Sequence, residues 1–319
     1  KTKIKILAAD NCNPELCSKF MGCSFVENSY KTTQIDSMSL IYNDNFSILN
    51  TNDCPYDLAT ETLDLVCENH NNIDLLLVGY AGAGPYPQCF ILDNKKKIDE
   101  GNKKRENFLN QGIKFINKIK PKFYMPFAGT YMLGGKFFEL NDYRGVPEIH
   151  EALDYYKNEI DFSNGFLLNQ YQFFDLKDKK ISAPYRVIDE KEHKNYIERV
   201  KNYKLEYETD NFPTDKDIAD LIPKAFSRFL TKKNEINFFS TATLIIEISD
   251  TNFLVINLEK DASYKLLDKL DYGKIDCYVK ISLDRRLFFR ILKGPRYAHW
   301  NNAEIGSHLT YERNPNIFE

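Results

Sequence analysis

Apolar and polar positions follow strand-like and helix-like periods in turn through the first half of the chain. Strands are predicted where residues alternate or form short apolar runs: 1–9, 37–42, 46–50, 73–80 and 123–127. Helices are predicted at 55–68 and 99–119, where apolar residues recur every three or four positions. The last two strands are almost wholly apolar, which is typical of strands covered on both faces. This order predicts an α/β domain over residues 1–147, with ligand sites where the strands end.

The pattern changes after residue 147. Residues 148–210 are predicted to form a helical and irregular connecting region, and residues 211–319 a C-terminal α+β module with a polar tail. Strands are predicted in this module near 242–248, 253–258 and 274–281, and helices near 215–230 and 283–292. Five phenylalanines there indicate either ordinary core packing or a site for an apolar ligand: Phe226, Phe229, Phe238, Phe239 and Phe253.

Composition narrows the class of protein. The chain has 319 residues, with 43 Lys and Arg against 46 Asp and Glu. This balance lacks the clustered positive excess of a nucleic-acid-binding protein, so no nucleic-acid partner is expected. No apolar stretch approaches the roughly 18 residues of a membrane-spanning helix, so no membrane partner is expected either. Seven scattered cysteines, an odd number, without an apolar leader predict reduced thiols and a cytoplasmic protein.

Candidate chemistry lies directly after the predicted strands. Asn52 and Asp53 follow an apolar strand, where a carboxylate can meet a metal or water, although the spacing alone favours Asp53 as a cap of the next helix. Gly82 and Gly129 follow the next two predicted strands. Their segments would let a ligand approach the backbone closely, or would form plain structural turns. Because all three segments follow strands of one sheet, we expect Asp53, Gly82 and Gly129 to converge at one edge.

The tail concentrates side chains that can bind or transfer protons. Residues 294–308 hold Arg296, His299, Glu304 and the chain's single tryptophan, Trp300. We expect the tail to fold back onto the first domain near the strand ends, as a lid over a polar ligand or as a hydrogen-bonded seal between domains. The chain has no H-x-H, H-E-x-x-H or G-x-S-x-G motif.

Three segments taken together resemble the metallo-β-lactamase superfamily: 49–54, 74–82 with Tyr86 and Pro87, and 124–129. The branch they resemble contains the CMP-N-acetylneuraminate hydroxylases and related bacterial metallo-hydrolases, and residues 299–306 resemble a C-terminal extension of its bacterial members. The resemblance spans about residues 1–145. It implies an αββα sandwich, with Asp53 as a metal ligand for zinc or iron.

The resemblance also implies that the metal site is incomplete in these residues. In that family an H-x-H-x-D-H motif lies upstream of the segment that resembles residues 1–53, and this sequence has no such motif. The Rieske-type C-x-H pairs that accompany the hydroxylases are absent from it too. We therefore expect that an N-terminal part is missing or separate, or that the chemistry has been lost, and that this chain alone binds metal weakly or not at all.

Two functions follow as hypotheses. The first is a metal-dependent hydrolase or hydroxylase-like enzyme acting on a sugar nucleotide or a similar amide- or phosphate-bearing metabolite, with an electron donor if it is a hydroxylase. In that enzyme His299 and Glu304 would transfer protons or bind substrate. The other substrate-binding candidates are Asn52, Gly82, Tyr86, Gly129, Arg296 and Trp300. The second hypothesis is a catalytically silent protein of the same fold that binds a metabolite or a partner chain.

Overall fold

The structure is a computed structural model that describes residues 1–8, 37–52, 54–70, 72–161, 164–271 and 275–316. It divides into two compact units whose segments interleave along the chain. Unit 1 comprises residues 1–82, 100–131 and 145–195, and unit 2 comprises residues 83–99, 132–144 and 196–319. The sequence predicts domains that follow one another along the chain, with boundaries at 147 and 210. In the structure, segments 83–99 and 132–144 group with the C-terminal part.

Unit 1 contains a five-stranded sheet in the order β1-β2-β3-β4-β5. Its strands are β1 (Lys3–Ala8), β2 (Ser37–Tyr42), β3 (Ser47–Asn50), β4 (Leu75–Gly79) and β5 (Phe123–Phe127). The first three strands are antiparallel neighbours, whereas β3, β4 and β5 run parallel. Strand β4 lies between two parallel neighbours, and Leu76 and Val78 are fully buried there. The apolar run that predicts a buried strand therefore lies inside the sheet, as expected.

Helices cover this sheet and supply its core. They are α1 (Thr60–Asn69), α2 (Asn94–Ile119) and α3 (Ile149–Glu159). Leu109, Phe115 and Ile116 form the buried stripe of α2 and pack into the same core as β4. Helix α3 begins where the Glu151 carboxylate accepts a hydrogen bond of 2.8 Å from the Glu148 N–H. A short ribbon of β6 (Phe174–Asp175) and β7 (Lys180–Ile181) and the exposed helix α4 (Glu190–Lys201) follow.

Unit 2 contains a second five-stranded sheet, in the order β10-β9-β8-β11-β12. Its strands are β8 (Thr243–Ser249), β9 (Asn252–Asn257), β10 (Tyr264–Leu267), β11 (Tyr278–Leu283) and β12 (Leu309–Asn314). Strands β8 and β11 pair parallel, and the other described pairs are antiparallel. Helices α5 (Asp215–Glu235) and α6 (Arg285–Lys293) contribute to a shared core with β8 and β9, and α7 (Trp300–Ile305) precedes β12.

Local capping explains where the two long helices of unit 2 begin. At α5 the Thr214 hydroxyl accepts from the Asp217 N–H at 3.2 Å, and the Asp217 carboxylate accepts from the Thr214 N–H at 2.8 Å. At α6 the Asp284 carboxylate accepts from the Arg286 N–H at 3.0 Å. Helix α6 then buries Leu287, Phe288 and Ile291 on one face.

The mixed sheets and covering helices confirm the predicted α/β class. The described part of unit 1 forms one sheet with helices, and the metallo-β-lactamase sandwich stays a prediction. Within the described residues, no helix combines the length and the apolar character that crossing a membrane requires.

Candidate functional site

Three loops of unit 1 meet at one edge of its sheet. They follow the parallel strands β3, β4 and β5, and Asn50 pairs with Leu77 while Gly79 pairs with Phe127. Residues 51–52, 80–82 and 128–130 are called the strand-end edge below. Gly82 and Gly129 therefore lie at the same edge, as expected from the sequence. Asp53 lies outside the described residues.

Thr51 holds the first loop against β4. Its N–H donates to the Leu77 carbonyl at 3.0 Å, and its buried hydroxyl accepts from the Gly79 N–H at 3.1 Å. A Cβ on Gly79 would lie 2.7 Å from the Asn52 carbonyl oxygen, so the close approach of the two loops requires glycine there. Asn52 follows in the left-handed region with φ of 51°, a conformation that asparagine tolerates. The exposed Asn52 is thus presented from a fixed turn.

Two hydroxyl groups join the other loops of the strand-end edge. The Thr130 hydroxyl lies 3.3 Å from the Pro147 carbonyl, to which it donates, so the Tyr80 hydroxyl is the donor in the short Tyr80–Thr130 bond. Burial raises the pKa of Tyr80, and this outweighs the hydrogen bond with Thr130, which acts to lower it. Both hydroxyls are therefore neutral at physiological pH, and the Glu148 carboxylate nearby favours the neutral phenol further.

Close packing explains why glycine occupies positions 82 and 129. A Cβ on Gly82 would lie 2.3 Å from the Phe108 ring, and a Cβ on Gly129 would lie 2.6 Å from the Tyr80 ring. Aromatic rings of unit 1 thus fill the space that a side chain would need. Close approach of a ligand to these two backbones stays a prediction.

The described side chains do not fit the zinc or iron that the resemblance implies. Among the residues that the structure describes, no three His, Cys, Asp or Glu side chains are grouped as metal ligands would be. The strand-end edge offers instead the Asn52 amide and the hydroxyls of Tyr80 and Thr130, which are neutral oxygen and nitrogen groups. Zinc sites in proteins use histidine, thiolate and carboxylate ligands.

The predicted tail residues belong to unit 2. Arg296, His299 and Glu304 are exposed, and partial loss of water contact raises the pKa of the Glu304 carboxyl. Trp300 is half-buried and packs 6.2 Å, ring to ring, from Phe288. Closure of the tail over the strand-end edge stays a prediction, as do the roles expected for Arg296, His299, Trp300 and Glu304.

Tyr86 also belongs to unit 2, where it joins an aromatic group. Its ring lies 5.2 Å from that of Phe90, which in turn stacks on Tyr311 at 4.8 Å. The Arg313 guanidinium lies 4.9 Å from the Phe90 ring centre. These contacts give Tyr86 a structural role in unit 2, and its substrate-binding role stays a prediction.

Sequence reasoning missed a group of interacting polar side chains in unit 2. This ion cluster consists of Lys136, Tyr207, Glu208, Asp284, Arg286 and His308. Arg286 binds the Asp284 carboxylate through two nitrogens, at 3.0 and 2.8 Å, and Lys136 binds the same carboxylate at 2.7 Å. Although burial acts to raise it, these hydrogen bonds hold the pKa of Asp284 far below its usual value.

His308 is a half-buried member of the ion cluster. Its Nδ1 is 3.1 Å from the Tyr207 hydroxyl, and the Lys136 ammonium lies 4.8 Å from the Tyr207 ring centre. Burial and the Lys136 charge lower the pKa of His308, and burial raises the pKa of Tyr207. Both groups are therefore neutral at physiological pH. The charged groups of the cluster are paired with each other, so the cluster is suited to holding unit 2 together.

Comparisons with protein-family models, curated proteins and solved structures give no match to this chain.

Proposed function

We propose that this chain binds a small polar metabolite at the strand-end edge of unit 1. The observation that carries the proposal is the convergence of three loops after neighbouring parallel strands. In α/β sheets, ligands commonly bind outside the carboxyl ends of parallel strands, and β3, β4 and β5 share such an end here. This corresponds to the second hypothesis from the sequence, a binding protein, and we propose the cytoplasm as its location.

The groups at the strand-end edge favour a neutral, hydrogen-bonding part of the ligand. The exposed Asn52 amide both donates and accepts, and the exposed Thr130 hydroxyl can accept a further hydrogen bond. The Tyr80 hydroxyl is buried and bonds to Thr130, so its role is to hold Thr130 in place. Such groups suit the hydroxyl and amide groups of a sugar nucleotide or a similar metabolite.

Calorimetry with matched variants tests this proposal. CMP-N-acetylneuraminate and UDP-N-acetylglucosamine serve as probes against the full chain. Asn52→Ala is expected to weaken binding of the recognised probe about tenfold or more, the loss of one to two hydrogen bonds. Asn45→Ala is the matched control, because Asn45 is also exposed but lies in the turn before β3, at the opposite end of the strand. Equal effects of the two substitutions would contradict the proposal.

A metal-dependent hydrolase or hydroxylase is the second candidate function. What favours it is the position of Asp53 in the sequence, immediately after Asn52, in a segment that resembles the metallo-β-lactamase superfamily. Elemental analysis after incubation with zinc or iron(II) and desalting tests it. We expect less than one tenth of an equivalent on the chain alone, because a single recognised carboxylate falls short of the three protein ligands usual in catalytic zinc sites. A full equivalent that Asp53→Asn removes would make the metalloenzyme the better account.

A further inference from the structure

Unit 2 contains a cavity, partly open to solvent, whose lining residues are all aliphatic or aromatic. Its volume is about 260 Å³, and it lies among α5, α6, α7 and the strands β8, β9 and β11. This volume exceeds the roughly 150 Å³ of an engineered protein cavity that stays dry and binds benzene, so a small organic molecule would fit.

The deep wall of this apolar cavity is the core of unit 2. It consists of residues that are at most 5% exposed: Ile222, Ile246, Leu254, Ile256, Phe288 and Leu292. The cavity is partly open to solvent, and its floor is therefore the core of unit 2. Half-buried aromatic side chains lie at its rim, where Phe226 and Phe229 stack at 5.8 Å and Trp300 contributes from α7.

Water is a poor occupant of this space. An ordered water needs two to four polar partners, and the lining side chains offer one polar group, the indole N–H of Trp300. The polar neighbours on the same strands are engaged elsewhere. Glu247 and Ser282, next in sequence to the lining residues Ile246 and Ile281, hydrogen-bond to each other. Because successive side chains alternate across a strand, this pair lies on the other face of the sheet.

We propose that the apolar cavity is a binding site for a small uncharged apolar molecule that carries one or two aromatic rings. Volume sets the size of the ligand, and the lining excludes a charged or strongly polar group from the interior. The rings of Phe226, Phe229, Phe288 and Trp300 favour an aromatic ligand, because edge-to-face and offset contacts add to the burial of apolar surface. The proposal is independent of the strand-end edge of unit 1.

The single tryptophan allows binding to be observed directly. Trp300 lines the cavity and is the only tryptophan of the chain. The probe is N-phenyl-1-naphthylamine, an uncharged ring compound that accepts energy from indole. Titration into the full chain, with excitation of the tryptophan, is expected to give saturable quenching of Trp300 and a rise in melting temperature. Absence of either effect would overturn the proposal.

Matched alanine substitutions on α5 locate the bound probe. Ala225 lines the cavity, whereas Ala219 lies on the same helix outside it. Ala225→Leu is expected to fill the space and weaken probe binding about tenfold or more, while Ala219→Leu leaves it within about twofold. If Ala225→Leu fails to fold, Leu244→Phe at the half-buried rim serves as the filling variant. Unchanged binding in a folded filling variant would overturn the proposal, because the probe would then bind elsewhere.

Discussion

In unit 1, parallel β3, β4 and β5 bring their following loops to one edge, where Asn52 is exposed on a fixed turn. In unit 2, one parallel pair is flanked by antiparallel strands, and the polar side chains of the ion cluster bind one another. Strands and helices thus expose polar groups at a sheet edge in unit 1 and bring polar groups into contact with one another in unit 2. Charged groups that bind one another in the ion cluster stabilise the fold, whereas an exposed side chain such as Asn52 can be reached by an incoming ligand. Substitutions in the ion cluster should therefore lower the free energy of unfolding more than substitutions at the strand-end edge.

The largest expected effect is at the ion cluster. Asp284→Asn leaves Arg286 and Lys136 without their shared charge, and we expect a loss of about 3 kcal/mol in the free energy of unfolding. Urea denaturation measures this. Asp250→Asn, at an exposed position between β8 and β9, is the control and should change stability by less than about 0.5 kcal/mol. A small effect of Asp284→Asn would mean that the cluster is not structural.

A smaller loss of stability is expected when one methyl group is added in unit 1. Gly129→Ala places a Cβ against the buried Tyr80 ring, and we expect it to cost about 2 kcal/mol in stability. The same change in a Tyr80→Leu background should cost less, because the ring is gone. Equal costs in both backgrounds would show that packing against Tyr80 is not the reason for glycine. Ala225→Leu in unit 2 adds a larger side chain than Gly129→Ala, yet it should be tolerated because it enters the apolar cavity.

The pH dependence of stability should report on His308. Its pKa is lowered in the folded protein, so the unfolded chain binds the proton more readily. The contribution is fully present above the unfolded value of about 6.5 and is lost as the pH falls through that value toward the folded pKa. We expect the free energy of unfolding to fall by up to about 1.4 kcal/mol per pH unit in this window. In His308→Gln this part of the slope should disappear, and an unchanged slope would assign it to other groups.

The smallest effect on folding is expected at the strand-end edge. Asn52→Ala removes an exposed side chain, and we expect the free energy of unfolding to change by less than about 0.5 kcal/mol. Thermal denaturation of the variant beside the parent chain measures this. A loss comparable to that of Asp284→Asn would remove the distinction between the two regions.

Apolar periodicity predicted most strands and helices, because burial of one face dominates local structure, but it missed β10, β12 and α7. The run at 73–80 predicted β4, and the spacing at 99–119 predicted most of α2. Helix α2 begins earlier, at Asn94, because the Asp93 carboxylate accepts from the Lys96 N–H at 2.8 Å and caps it. Helix α4 escaped prediction because it buries no residue among those the structure describes.

The polar sites were harder to predict than the elements. The shared edge of Gly82 and Gly129 was predictable, because both follow apolar runs typical of parallel strands, whose carboxyl ends lie at one edge of a sheet. The ion cluster joins Lys136, Tyr207, Asp284 and His308, residues far apart in the chain, so no local motif marks it. The packing of Phe108 and Tyr80 against the two glycines likewise depends on tertiary contacts. Glycine in a loop after a strand is consistent with ligand approach and with close packing alike.

Hydrogen exchange with and without bound ligand tests the central claim most directly. The full chain is saturated with the sugar nucleotide that calorimetry identifies, and peptide-level protection is compared between the two states. The account predicts that protection rises in the peptides covering residues 51–52, 80–82 and 128–130, and that those of the ion cluster stay unchanged. Protection confined to peptides of unit 2, with none at the strand-end edge, would contradict it.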